Sequence, residues 1–249
     1  MGILPFQSGR RNYLMELDYH GSKRKSELPV EKLNAVFLET GSIQIRTAKE
    51  AKTRLNKTFP KAGTEYTDYW KRTLGVINAA KKSGTEIWLG DPGSSNLELH
   101  GSTAVIAASA FLRAAGGLAL LGPGGALAAA VSSPAVINGL WLQRSGNAKK
   151  RKISRAIISA IGKINPLVVW RNKVIAHKIQ ILAEKTGHTK IGILVGTGHV
   201  GLADHLEKQR MLTPAEMVKA KKRGAQNVKM FRCRFDKGKN EWQVEEHSI

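Results

Sequence analysis

An α/β fold, with a central mixed sheet flanked by helices and an apolar helical hairpin inserted in its middle, is what this sequence predicts, and three observations carry that expectation. Four dense apolar runs have the length of buried strands, helical patterns alternate with them, and one long Ala-, Gly- and Leu-rich stretch interrupts the alternation. At 249 residues the chain is long enough to bury a sizeable core without disulfides. The halves on either side of the insertion read as one α/β domain, residues 1–101 and 145–249, split by residues 102–144.

The strands are "NYLMELDY" (Asn12 to Tyr19), "NAVFLET" (Asn34 to Thr40), "EIWLGD" (Glu86 to Asp91) and "KIGILVGTG" (Lys190 to Gly198). Each is a run of branched and aromatic residues closed by polar or glycine residues. Helical patterns cover Thr47 to Leu55, Asp68 to Ser83, Ile153 to Ile161, Pro166 to Thr186 and Pro214 to Arg223. Near the end, "NVKMFRCRFD" and "NEWQVEEH" flank "KGK", which predicts a hairpin at a sheet edge. In "GTGH" the glycines allow a tight turn, and His199 is expected to open a helix.

The insertion, Ser102 to Arg144, carries Arg113 as its one charge before the terminal arginine. As helices, Thr103 to Leu121 and Ala126 to Leu142 would span about 28 Å and about 25 Å, close to the hydrocarbon thickness of a bilayer. "GPGG" (Gly122 to Gly125) between them is a turn signal. Membrane association through residues 103–142 is therefore the expectation, and the basic run after Leu142 agrees with it. Arg113 opposes it, because an arginine at mid-bilayer costs at least about 2.5 kcal/mol, and a buried helical hairpin is the rival.

Charge and cysteine content narrow the classes further. Forty Lys and Arg against 19 Asp and Glu give a formal charge of +21, which attracts anionic lipid, nucleic acid or an acidic partner. Basic residues cluster in "RSGNAKKRKISR" (Arg144 to Arg155) and "KAKKRG" (Lys219 to Gly224), but aromatics are few and no nucleic-acid module signature is present, so nucleic acid is an unfavoured partner. The single Cys233 excludes an internal disulfide and a cysteine-built zinc site. No secretory signal opens the chain, which leaves a membrane-associated or cytoplasmic location.

Chemistry is expected where the strands end. His20 follows the first strand, Glu39 ends the second, Asp91 the third and His199 the fourth. Parallel neighbours would bring these groups to one sheet edge, and imidazole with carboxylate is a usual set for a divalent metal that activates water. Asp91 in "GDPG" reads first as a turn residue. Arg171, beside Asn172 in "NPLVVWRNKVIAHKIQIL", reaches far enough to pair a carboxylate such as Glu39, to clamp a substrate anion, or to lie along the surface. His177 and His205 read as structural.

Gly196-Thr197-Gly198-His199, followed by Gly201 and Leu206, resembles the second Gly-x-x-His motif of the TraB/PrgY family, which includes the Tiki proteins and is related to the erythromycin esterase and ChaN-like group. "WRN" is similar to the family's arginine-bearing helix, and "AVFLET" to the strand ending in its glutamate. The first Gly-x-x-His motif is matched by "LDYH" (Leu17 to His20), with leucine in the glycine position. The resemblance covers most of the chain outside Ser102 to Arg155, and only the second motif is specific.

The resemblance implies a metal-dependent hydrolase that cleaves peptides or shuts down a peptide signal. It assigns His20, Glu39 and His199 to a divalent metal, manganese, cobalt or zinc, with Glu39 as ligand or general base and Arg171 stabilising the developing oxyanion. A non-catalytic, membrane-associated peptide-binding or regulatory protein is the alternative. A single membrane crossing between Leu99 and Arg144 would separate His20 and Glu39 from Arg171 and His199, so a shared site requires the insertion to return to the side it left.

Overall fold

The computed structural model describes residues 3–18, 25–39, 45–56, 67–92, 166–224 and 227–249. Within them the elements run β1 (Ile3–Ser8), β2 (Arg11–Asp18), β3 (Ala35–Leu38), α1 (Ala48–Asn56), α2 (Thr67–Ser83), β4 (Glu86–Leu89), α3 (Pro166–Thr186), β5 (Lys190–Gly196), α4 (Leu202–Glu207), α5 (Pro214–Lys222), β6 (Lys229–Asp236) and β7 (Glu241–Ser248). His20, the apolar insertion at 102–144, the basic run at 144–155 and the helix expected at Ile153 to Ile161 lie outside the described residues. Among the described residues no helix is long and apolar enough to cross a membrane.

Seven strands form one mixed sheet in the order β1-β2-β5-β3-β4-β6-β7. The four inner strands β2, β5, β3 and β4 are parallel, and antiparallel pairs close both edges. The C-terminal hairpin sits at an edge as expected, its turn held by the Asp236 carboxylate, which accepts from the Gly238 and Lys239 amides at 2.9 and 3.1 Å. The opposite edge strand, β1, was not expected. "ILPFQS" has only a short apolar patch, interrupted by a proline, a composition that an edge strand with half its backbone facing solvent tolerates.

Strict alternation sorts the inner strands between two cores. Tyr13, Met15, Phe37, Trp88, Ile191, Ile193 and Val195 face α3 and α4 through Ile175, Ile179, Leu182, Leu202 and Leu206. Val36, Leu38, Ile87, Leu89 and Leu194 face α1 and α2 through Ala51, Leu55, Val76, Ile77 and Ala80. Both faces are covered, which is why these strands read as continuous apolar runs. Helix α3 opens on Pro166, where a missing N–H costs nothing, and ends at Gly187, whose φ of +69° a side chain would resist.

This topology fixes where a site can form. The chain leaving β3 goes to α1 on one face, whereas the chain leaving β5 goes to α4 on the other. The carboxyl ends of these two neighbours lie where the connections part to opposite faces, the place where open α/β sheets bind ligands.

Gly192, in the middle of β5, has no room for a side chain: an added Cβ would lie 2.6 Å from Leu33 Cδ1 and 3.2 Å from Val36 Cγ2. Gly192→Val is expected to lower unfolding free energy by about 1–3 kcal/mol through overpacking, read from urea denaturation midpoints.

Candidate functional site at the carboxyl ends of β3, β4 and β5

Glu39 stands one residue beyond β3, and its carboxylate is held from three sides. Its Oε2 accepts a short hydrogen bond from the Gly196 amide at the end of β5. Its Oε1 lies 3.2 Å from Arg171 Nη2 and 3.2 Å from His199 Nε2. Burial alone would push this carboxyl up, but His199, Arg171 and the Gly196 amide outweigh it and hold the group well below the usual carboxylate range. These contacts favour the ionised form of Glu39.

Arg171 projects from the first turns of α3 and joins β3 to β4. Besides Glu39, its Nη2 donates to both oxygens of Asp91, at 3.0 and 2.8 Å. Asp91 is 2% exposed, so it does more than shape the turn expected of "GDPG": it is a buried counterion. Arg171 is no surface arginine either, at 7% exposure. Burial would lower its pKa, yet the two carboxylates raise it, and it stays charged.

His199 belongs to a single 3-10 turn, Thr197–His199, and the helix that follows begins only at Leu202. The turn replaces the expected helix start because Gly201 precedes a helix that lacks a side-chain cap. Its effect is to point the ring back over the sheet. Nδ1 lies 2.5 Å from Asn172 Oδ1 while Nε2 faces the Glu39 carboxylate, so the ring is held at both nitrogens and its tautomer decides which of them donates. An imidazole steered by a hydrogen bond on its far nitrogen is the usual arrangement of a histidine that binds a metal or moves a proton.

Of the residues singled out in the sequence, Glu39, Arg171 and His199 are thus in direct contact, with Asp91 beside them, while His20 lies outside the described residues. His177 is structural, its Nδ1 accepting from the Leu212 amide at 3.3 Å, and burial lowers its pKa. Among the described residues no group of three or more His, Cys, Asp or Glu side chains is placed to hold a metal ion. Two of the three expected donors, Glu39 and His199, do face one another. Leu17 ends up half-buried against the α3 side of the core.

Two residues of the region escaped the sequence reading. Glu16, on β2, accepts from the Ser26 hydroxyl at 2.6 Å and the Glu27 amide at 3.0 Å and lies 3.8 Å from Arg72 Nη1, which ties the chain after β2 back onto the sheet. Lys178 is completely buried, and its Nζ donates to the Gly90 carbonyl at 2.6 Å. Burial pushes this amine down to about 7 against the opposing pull of Asp91. The available signal was spacing: Lys178 follows Arg171 by two helical turns and lies on the same face of α3.

No family model matches the chain, and no curated protein or solved structure gives a significant match.

Arg171→Met leaves Glu39 and Asp91 buried against each other without their shared cation, and is expected to cost about 3–5 kcal/mol in urea denaturation. Adding Asp91→Asn should recover part of that loss, a coupling that a double-mutant cycle reads directly. Lys178 sets a second expectation. With its pKa depressed to about 7 in the fold, the unfolded chain binds more protons above that value, so stability should rise as pH increases from about 7 toward the ordinary lysine value of 10.5. Lys178→Met should flatten that rise in denaturation midpoints measured across the interval.

Proposed function

We propose that this chain is a metal-dependent hydrolase acting on peptides, with its reacting groups gathered at the carboxyl ends of β3 and β5. The observation that carries the reading is the Glu39 carboxylate, shared by Arg171 Nη2 and by the Nε2 of a histidine whose other nitrogen is fixed by Asn172. Acid, base and cation at one sheet edge are the groups that hydrolysis of an amide requires. The resemblance of "GTGHVGLADHL" to a Gly-x-x-His motif supplies the substrate class.

In this reading His20, Glu39 and His199 hold a divalent ion, manganese, cobalt or zinc. Such an ion, when bound, polarises the scissile carbonyl and acidifies a water. The chain's own residues have separable tasks. Asn172 keeps the His199 ring in one orientation. A carboxylate as strongly stabilised as Glu39 is a poor proton acceptor, which favours a ligand role over a general-base role. Arg171 holds Glu39 ionised and is the nearest cation for a developing oxyanion, while Asp91 fixes its orientation.

One observation favours a second reading, a non-catalytic, membrane-associated protein that binds a peptide or regulates a partner. Glu39, Asp91, Arg171, Asn172 and His199 are all at most 7% exposed and pair with one another. A network satisfied from within is also what a purely architectural role would produce.

Elemental analysis of protein purified without chelators separates the two. Near-stoichiometric metal in the wild type, lost in a folded His199→Ala variant together with at least about 10²-fold of peptide hydrolysis, is the expected result. Absence of metal from both proteins, with peptide binding indifferent to chelator, would transfer the site to the binding reading.

A further inference from the structure

The proposed roles leave Lys178 without one. It is the longest charged side chain in the middle of α3, it is 0% exposed, and it stands among Ile175, Ala176 and Ile179, which pack on the sheet. Burying an amine there is costly, and burial pushes its pKa down to about 7. A methionine would fill the same volume without that penalty. What the amine adds is a directed bond, Nζ to the Gly90 carbonyl, 2.6 Å long.

Gly90 is the residue between the end of β4 and Asp91. It is pinned on its other side by β6: an added Cβ would lie 3.0 Å from Met230 Cγ and 3.4 Å from the Lys229 carbonyl oxygen. The peptide that carries Asp91 is therefore clamped between β6 and the Lys178 amine. Arg171 and Lys178 project from one helix face two turns apart, so α3 grips the β4 terminus twice, once through the Asp91 carboxylate and once through the backbone just before it.

We infer that Lys178 is a positioning residue of this site: by holding the Gly90 carbonyl it sets the Asp91 carboxylate against Arg171, and so fixes the guanidinium on Glu39. The inference deepens the proposed function and rests on it only for the purpose that the positioning serves. The rival is a plain structural anchor, whose loss would lower stability and leave the Arg171 pairing as it is.

The test is Lys178→Met and Lys178→Arg in the full chain, followed by side-chain nitrogen NMR of Arg171, assigned by its disappearance in Arg171→Lys. A guanidinium locked between two buried carboxylates exchanges its protons slowly. In Lys178→Met, with thermal midpoint close to wild type, this protection should drop by at least about tenfold, and Lys178→Arg, which keeps a donor, should restore most of it. Unchanged Arg171 protection in a folded Lys178→Met protein overturns the inference. Should that variant fail to fold, loss of protection in a folded Lys178→Arg protein overturns it equally. Neither metal nor peptide takes part in the readout, so an inactive, metal-free wild type would sink the hydrolase reading and leave this result standing.

Discussion

One buried anion, the Glu39 carboxylate, organises the working end of this sheet. A carboxylate taken out of water must be met by donors on each of its lone-pair sides or it will protonate or drag the structure open. Here the donors come from three separate stretches of chain: the Gly196 amide from β5, the His199 ring from the turn after it, and the Arg171 guanidinium from α3. Satisfying that one group therefore ties the end of β3 to the end of β5 and seats the start of α3 over both. The same geometry that closes the fold assembles an imidazole, a cation and a carboxylate within hydrogen-bonding distance of one another.

The arrangement explains why α3 carries polar residues in a stretch that otherwise reads as core. Arg171, Asn172 and Lys178 are buried, yet each meets a specific partner: a carboxylate pair for Arg171, the His199 ring nitrogen for Asn172, and a strand-end carbonyl for Lys178. Each would be destabilising if unpaired. Their shared cost is borne by the apolar contacts of Ile175, Ile179 and Leu182 along the same helix, which bury completely against β2, β3 and β5.

The inner strands and most described helices were legible in the sequence to within a residue or two, because period-two burial on both faces and 3.6-residue patterns leave strong signals. Glu39, Arg171 and His199 were legible as strand-end and motif residues, and their mutual contact required only that the strands be parallel neighbours. What was hidden had local sequences that resemble ordinary surface. β1 is a short apolar patch broken by Pro5, which an edge strand tolerates and which does not announce a strand. "GDPG" spells a turn whether or not Asp91 points inward, and a lysine in a helix reads as solvated until the opposing Gly90 carbonyl is known. The 3-10 turn at Thr197–His199 was hidden because glycines announce a turn without announcing its type.

Contacts across the long insertion add a constraint that neither half carries alone. Glu39 and Asp91 precede residues 93–165, and Arg171 and His199 follow them, yet Arg171 touches both earlier carboxylates. Pro92 and Pro166, the described residues on either side of that stretch, therefore belong to one unit of sheet and helix. Parting that buried ion pair would cost about 3–5 kcal/mol, a large share of the stability of a typical domain. The described residues resume at Pro166, on the helix that carries Arg171, so the residue that joins the two earlier carboxylates is supplied within the first two turns after that stretch.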